Sequence, residues 1–153
     1  MRILFAGLGA LALLAGGAIW WQARAEAPGL LPYRDAAAIA RGREVYAGHC
    51  AACHGAALEG QPNWRERDAE GYLPAPPHDE TGHTWHHPDE QLLALTWYGT
   101  ARLVGGNYAS RMPGFGGTLS EQDVLAVLAY IKSTWPARII GRHNEINAAA
   151  AEQ

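Results

Sequence analysis

The chain has 153 residues, of which 48% are apolar and 18% charged, and it carries 12 Lys and Arg against 15 Asp and Glu. This length is enough for one compact domain with a short appendage and excludes a second sizeable domain. The formal charge of -3 gives no indication of a polyanion-binding surface, so we do not expect a nucleic-acid-binding function.

The N-terminal residues 1–25 are predicted to be an export segment. An uninterrupted apolar run occupies residues 3–21 and has no polar face, which is typical of a helix that spans a membrane. The small residues Ala23 and Ala25 also fit a signal-peptidase site. The segment is therefore either an uncleaved signal anchor or a signal peptide removed before Glu26. Both alternatives predict that the remaining chain lies outside the cytoplasm.

A linker at residues 26–34 is predicted next, because its prolines and glycine disfavour regular structure. The folded domain is expected at residues 35–136. No strand pattern of alternating polarity persists anywhere, so the domain is predicted to be all-α. Its three main helices are expected at Ala36 to about Ala47 after an Asp35 cap, at Pro88 to Gly99, and at Ser120 to Pro136.

Long loops separate these helices at residues 55–87 and 100–119. Such loops are unusual in a small domain, and a large apolar cofactor would supply the missing core. The C-terminal tail, residues 137–153, is predicted to form a short helix that lays Ile139, Ile140 and Ile146 against the domain. Residues from Ala148 onward are expected to fray.

The two cysteines of the chain, Cys50 and Cys53, are separated by two residues and followed at once by His54. This spacing is the signature of covalent haem attachment, with the cysteines bonded to the haem vinyl groups and His54 as an axial iron ligand. The alternatives are less specific. A zinc site needs further ligands elsewhere, a redox dithiol normally lies in a βαβ unit, and a disulfide across this spacing stabilises little.

A sixth iron ligand is expected if the function is electron transfer. Met112 is the only methionine besides Met1, and it lies in a glycine-rich loop between Arg111 and Pro113. A core-filling methionine normally lies on an apolar helical face. We therefore predict that Met112 is the second axial ligand, where a thioether raises the reduction potential.

Together these residues resemble the class I c-type cytochromes, a family of monohaem, all-α electron carriers. The resemblance covers roughly residues 36–135 and includes Gly42 and Tyr46, eight and four residues before the first cysteine. In that family a glycine and an aromatic residue mark the crossing of the first and last helices. The resemblance therefore implies that Gly42 lets these helices approach closely and that Tyr46 packs near Val127 and Tyr130.

A histidine-rich segment distinguishes this chain from plainer members of that family. Within ten residues it contains four histidines and two acids: His78, Asp79, Glu80, His83, His86 and His87. Imidazole and carboxylate suit copper or zinc, so the four histidines are a candidate second metal site. Hydrogen bonds to haem propionates or a solvated loop are the alternatives. The segment also resembles the His-rich loop of some membrane-anchored bacterial cytochromes.

The sequence therefore predicts a single-electron carrier that transforms no substrate, acting alone or as the cytochrome subunit of a redox enzyme. Its expected location is the periplasmic side of the bacterial inner membrane, anchored by residues 3–21 or soluble after cleavage near Ala25. The expected partners are redox proteins that dock electrostatically, because acids crowd between Glu59 and Glu90 while Arg102 and Arg111 flank the Met112 loop. The alternatives are a haem sensor with an open sixth site and a copper-binding protein.

Overall fold

The structure, a computed structural model, describes residues 29–153, and this range contains helices and loops but no strand. The predicted all-α fold class is confirmed. In chain order the helices are α1 (Ala36–His49), α2 (Ala51–His54), a 3-10 helix (Thr84–His86), α3 (Asp89–Tyr98), α4 (Thr100–Val104), α5 (Glu121–Ser133) and α6 (Ala137–Ala150).

The predicted N-terminal apolar helix and its cleavage site lie outside the described residues. Among the helices of residues 29–153, none has the length and apolar character that crossing a membrane requires.

Local sequence determines where the three main helices begin and end. The Asp35 side chain accepts a hydrogen bond of 2.9 Å from the Ala38 N–H and caps α1. The Ser120 hydroxyl accepts one of 3.1 Å from the Asp123 N–H and caps α5. Gly99, at φ 82°, ends α3. The caps of α1 and α5 and the stop of α3 thus lie where the sequence predicts them, although Pro88 caps α3 and is not its first helical residue.

The helices α1 and α5 cross at Gly42. A Cβ atom on this residue would lie 2.0 Å from the Ala126 carbonyl oxygen, so only glycine fits at the crossing. One turn further along α1, the rings of Tyr46 and Tyr130 lie 5.6 Å apart. This is the packing that the family resemblance implies. The core formed around the crossing includes Val45, Tyr46, Val124, Val127, Leu128, Ile131 and Trp135.

The C-terminal helix is longer than predicted. A helix is present in the tail as expected, but α6 has 14 residues and extends to Ala150, so residues 148–150 are helical where fraying was expected. Ile139 is buried in the core and Ile140 packs against it, as predicted, while Ile146 is partly buried. The helix is also held by His143, which is fully buried and donates from Nε2 to the His87 carbonyl at 2.9 Å.

Three ionisable side chains meet in the interior where α3, α5 and α6 join. Asp89, Lys132 and His143 are 2%, 0% and 0% exposed. Asp89 Oδ1 lies 3.4 Å from His143 Nε2 and 3.9 Å from Lys132 Nζ. Burial lowers the pKa of Lys132, and the nearby Asp89 carboxylate opposes this effect. We call these three residues the buried ionisable cluster.

Asp89 also connects the two ends of the described chain. Its Oδ2 atom accepts a hydrogen bond of 3.3 Å from the Leu31 N–H, and its own N–H donates to Asn147 Oδ1 at 2.7 Å. Leu31 is buried. The last residues of the predicted linker are therefore packed against the domain, although they form no helix or strand.

Candidate cofactor site

A cavity of about 510 Å³ opens between the α1–α2 junction, α3, α5 and the loops that precede and follow α3. The predicted attachment and ligand residues Cys50, Cys53, His54 and Met112 all line this cavity. Much of the remaining wall is apolar, from residues that include Leu73, Pro74, Pro76, Leu92, Leu95, Phe115, Val127, Leu128 and Ile131. Its volume and composition suit a large, mostly apolar cofactor.

His54 is positioned by helix geometry and by two backbone contacts. It ends α2, and it is 8% exposed. Its Nδ1 atom lies 2.8 Å from the Pro76 carbonyl oxygen, which can only accept, so Nδ1 carries the proton and Nε2 keeps a free lone pair. The Tyr46 hydroxyl donates to the Gly55 carbonyl at 2.9 Å and fixes the backbone behind the ring. Burial lowers the pKa of His54, which favours the neutral, metal-binding form.

The two cysteines are free thiols at the α1–α2 junction. Cys50 caps α1, its N–H donating to the Tyr46 carbonyl, and Cys53 lies in α2 and is exposed. Burial raises the pKa of Cys50 to about 11. A redox dithiol needs a thiol whose pKa is lowered, so this environment disfavours the redox-dithiol alternative.

Met112 reaches the cavity from the loop between α4 and α5. The Thr100 hydroxyl donates to Met112 Sδ at 3.6 Å, and the Met112 N–H donates to the Ser110 hydroxyl at 3.1 Å. The thioether retains a second lone pair for a metal. The backbone of this loop packs directly against the end of α3, where Gly114 contacts Gly99. The contact is so close that a Cβ atom on Gly99 would lie 2.7 Å from the Gly114 nitrogen.

The four histidines of the predicted second metal site do not converge on one point, because their rings pack against different partners. His78 faces His54, His83 stacks on Trp64, and His86 stacks on Trp85. His87 lies with its ring centroid 5.4 Å from that of His83. Within residues 29–153 no group of three or more His, Cys, Asp or Glu side chains is arranged to hold a metal ion. The geometry therefore gives the copper or zinc hypothesis no support.

Arg111, predicted to flank the Met112 loop as a docking residue, is paired inside the molecule. It forms ion pairs with Asp68 and, at 3.5 Å, with Glu70, and its guanidinium lies 4.1 Å from the centre of the Tyr72 ring. The guanidinium holds the pKa of Asp68 below its usual range. Arg111 thus joins the Met112 loop to the long loop between α2 and the 3-10 helix.

The sequence did not predict the contacts that three residues make in the site. Pro76 provides the carbonyl for His54, His78 provides a stacked ring, and Thr100 provides the hydroxyl for Met112. The first two are more than twenty residues from their partner, so no local pattern indicates them. The proline pair Pro76-Pro77 and the threonine after Gly99 were visible in the sequence, but neither motif predicts its partner.

A sequence profile of the family described as Cytochrome c matches residues 39–135. The chain belongs to the cytochrome c family. Searches of curated proteins and of solved structures found no match. The matched range covers the α1–α5 crossing, both cysteines, His54 and Met112, and it ends before α6. The resemblance to the c-type cytochromes is therefore confirmed. Helix α6 lies outside the range that matches the family.

Membership of the cytochrome c family implies a covalently bound haem c and electron transfer through it. The residues present fit this cofactor. Two free thiols lie at the wall of an apolar cavity, beside an imidazole whose Nε2 lone pair is free. Haem c supplies an iron centre that gains and loses one electron, and the protein supplies attachment, axial ligands and exclusion of water.

Proposed function

We propose that the protein is a carrier of single electrons with His54 and Met112 as axial ligands of a haem c attached through Cys50 and Cys53. The observation that carries the proposal is that one cavity is lined by all four residues. The thioether softness of Met112 favours reduced iron and therefore a high potential. The Thr100 hydroxyl at 3.6 Å orients Sδ, and the Gly99–Gly114 contact restricts how far the loop can move.

We further propose that the electron donor and acceptor are redox proteins on the periplasmic side of a bacterial inner membrane. The apolar run at residues 3–21 supports export, either as an anchor or as a cleaved signal. Fractionation of the full chain and N-terminal sequencing of the mature protein test this. Recovery in the cytoplasmic fraction contradicts it, and a mature N-terminus at Glu26 decides for cleavage.

The first experiment compares optical spectra and midpoint potentials of the wild-type holoprotein and Met112→Leu, which keeps an apolar side chain of similar volume. The oxidised wild type is expected to show the far-red sulfur-to-iron band, and Met112→Leu is expected to lose this band and to have a lower potential. His87→Ala is the matched control, because His87 lines the same cavity. It should retain the band.

Other outcomes point to the alternatives. A wild type without the far-red band that binds carbon monoxide readily when reduced is a sensor with an open sixth site. Copper or zinc retained in stoichiometric amount after dialysis, and lost on replacing His83, His86 and His87, indicates a metal-binding protein. The first result contradicts the proposed carrier, and the second contradicts it when the far-red band is also absent.

A further inference from the structure

The ring of His78 lies flat against the ring of His54. Their centroids are 4.0 Å apart and their planes differ by 23°. No family motif quoted above includes a second histidine at this place, and His78 is not needed for haem attachment. Aromatic rings at this separation are in direct contact, so neither ring can turn without moving the other.

His78 is itself firmly held. Its N–H donates to the Leu58 carbonyl at 2.8 Å, and its carbonyl accepts from Trp135 Nε1 at 2.7 Å. Its Nδ1 atom forms a 2.8 Å hydrogen bond with the hydroxyl of Thr84, which is 6% exposed. The edge of the Tyr46 ring, with its centroid 6.2 Å away, limits the remaining space. Contacts to backbone and ring therefore fix both the position and the plane of His78.

His54 has one other restraint on its ring, the Nδ1 hydrogen bond to the Pro76 carbonyl. A single hydrogen bond fixes the direction of an imidazole edge but leaves the ring free to twist about that direction. The stacked His78 ring removes this freedom. Both restraints come from one short segment, Pro76 to His78, so the loop controls the edge and the plane of the same ring.

The stack also places His78 beside His54 and not across the cavity from it. A ring in parallel contact with one axial ligand cannot be the ligand on the opposite face of the iron.

We propose that His78 is a positioning residue that sets the plane of the His54 ring. The inference rests on the proposed function, in which His54 is an axial ligand. An axial imidazole overlaps with the iron d orbital that lies perpendicular to its ring plane. The direction of the ring plane therefore determines the energy difference between the two d orbitals that can overlap with it. His78 thereby controls the magnetic anisotropy of the oxidised centre and contributes to its potential.

The test compares His78→Ala and His78→Phe holoproteins by electron paramagnetic resonance, by the spread of the haem methyl proton resonances, and by potentiometry. His78→Ala is expected to shift and broaden the largest g value, to change the methyl spread and to shift the midpoint potential. His78→Phe keeps a flat ring for stacking and should restore most of the wild-type signal. His78→Leu fills a similar volume without a flat ring and should not restore the signal, which distinguishes ring stacking from cavity filling. His86→Ala is the matched control, because His86 is exposed and does not line the cavity.

Wild-type g values, methyl spread and potential in His78→Ala would overturn the inference. If His78→Ala attaches no haem, His78→Leu decides, because it keeps a similar side-chain volume and removes the flat ring that stacks on His54. A shift in the same signals supports the inference, and an unchanged signal overturns it. The far-red band of the wild type separately reports Met112 ligation, so failure of the proposed function is distinguishable.

Discussion

Gly42 shows how one missing side chain determines the geometry of the haem domain. A Cβ atom there would lie 2.0 Å from the Ala126 carbonyl oxygen and 2.8 Å from the Tyr130 Cβ. The first obstacle is backbone and cannot move aside. Helices α1 and α5 therefore approach closely only because this position is glycine, and both cavity walls depend on that approach.

Gly42→Ala is expected to destabilise the holoprotein by about 1–3 kcal/mol, because overpacking forces the two helices apart. Gly48→Ala is the matched control in the same helix, since a Cβ atom there meets nothing within 4 Å. The control is expected to be neutral or to stabilise by up to about 1 kcal/mol. Chemical denaturation of both variants measures this, and equal stabilities would show that the crossing is not tight.

His143 makes the stability of the domain depend on pH. Burial, and then Lys132, lower the pKa of His143, while Asp89 and the His87 carbonyl oppose this. The unfolded chain therefore binds a proton more readily than the folded one. This residue's contribution to stability is complete above its ordinary pKa and is lost as pH falls from that value toward the folded pKa.

We expect the free energy of unfolding to fall between about pH 7 and pH 5, because the unfolded imidazole titrates near pH 6.5. His143→Gln should be less stable at pH 7 and should show a smaller decrease over this range. His86→Gln, at an exposed position, should behave like the wild type. Denaturant titrations at several pH values measure the slopes, and parallel wild-type and His143→Gln curves would contradict the assignment.

At the scale of the helices, α6 extends the fold beyond the family match. It contributes Ile139 to the core and His143 to the buried ionisable cluster, and His143 holds the His87 carbonyl at the cavity wall. An element outside the matched range thus supports the loop before α3. We expect its removal to loosen the cavity.

Ile139→Ala is expected to destabilise the protein by about 2–5 kcal/mol, as for other buried large-to-small substitutions. Ile139 is 4% exposed. Ile146→Ala in the same helix is the control and should destabilise the protein less, because Ile146 is only partly buried. Thermal unfolding of the two variants compares them. A smaller loss for Ile139→Ala than for Ile146→Ala would mean that α6 does not pack as described.

The sequence predicted best those helices whose start or stop is determined by a residue at the helix end itself. Asp35 caps α1, Ser120 caps α5 and Gly99 ends α3, and each signal lies within a few residues of its effect. The length of α6 was underestimated because His143 gains its partner, the His87 carbonyl, only in the folded chain. Helix α4 was missed because its five residues contain no buried position and thus no periodic pattern.

The candidate site was also predictable only where its signals lie close together in the sequence. The cysteine and histidine spacing lies within five residues, so the attachment motif was readable from the sequence. The stack of His78 on His54 depends on a loop that returns over the ring, and no pattern in the chain predicts which of four histidines lies there. Met112 was predicted as a ligand by elimination, but its Thr100 hydrogen bond was not.

At the scale of the whole molecule, the distribution of charge leads to a prediction about the rate of electron transfer. The formal charge is -3. Arg111 is engaged with Asp68 and Glu70, whereas Glu59, Glu66, Glu80 and Glu90 are exposed. A surface of this kind attracts a positively charged partner, and salt screens the attraction beyond roughly 10 Å at 0.1 M.

Electron transfer to a cationic small-molecule oxidant is therefore expected to slow as ionic strength rises. A neutral oxidant of similar potential is the control and should react at a rate that salt does not change. Stopped-flow measurements over a range of salt concentrations compare the two. Equal salt dependence would show that the acidic surface does not steer the encounter.

The hydrogen bonds of Asp89 to Leu31 and Asn147 bring the two ends of the described chain together, and a Cβ atom on Gly29 would lie 2.9 Å from Asn147 Nδ2. Adjacent ends are the geometric requirement for circular permutation. In a variant without residues 1–28, a short peptide from Gln153 to Gly29 would close the domain into a ring, which could then be opened at the exposed turn at Gly106 and Asn107. A permuted cytochrome of this kind would present its new termini on the loop between α4 and Met112, where an electrode tether or a fused enzyme could be attached beside the haem cavity.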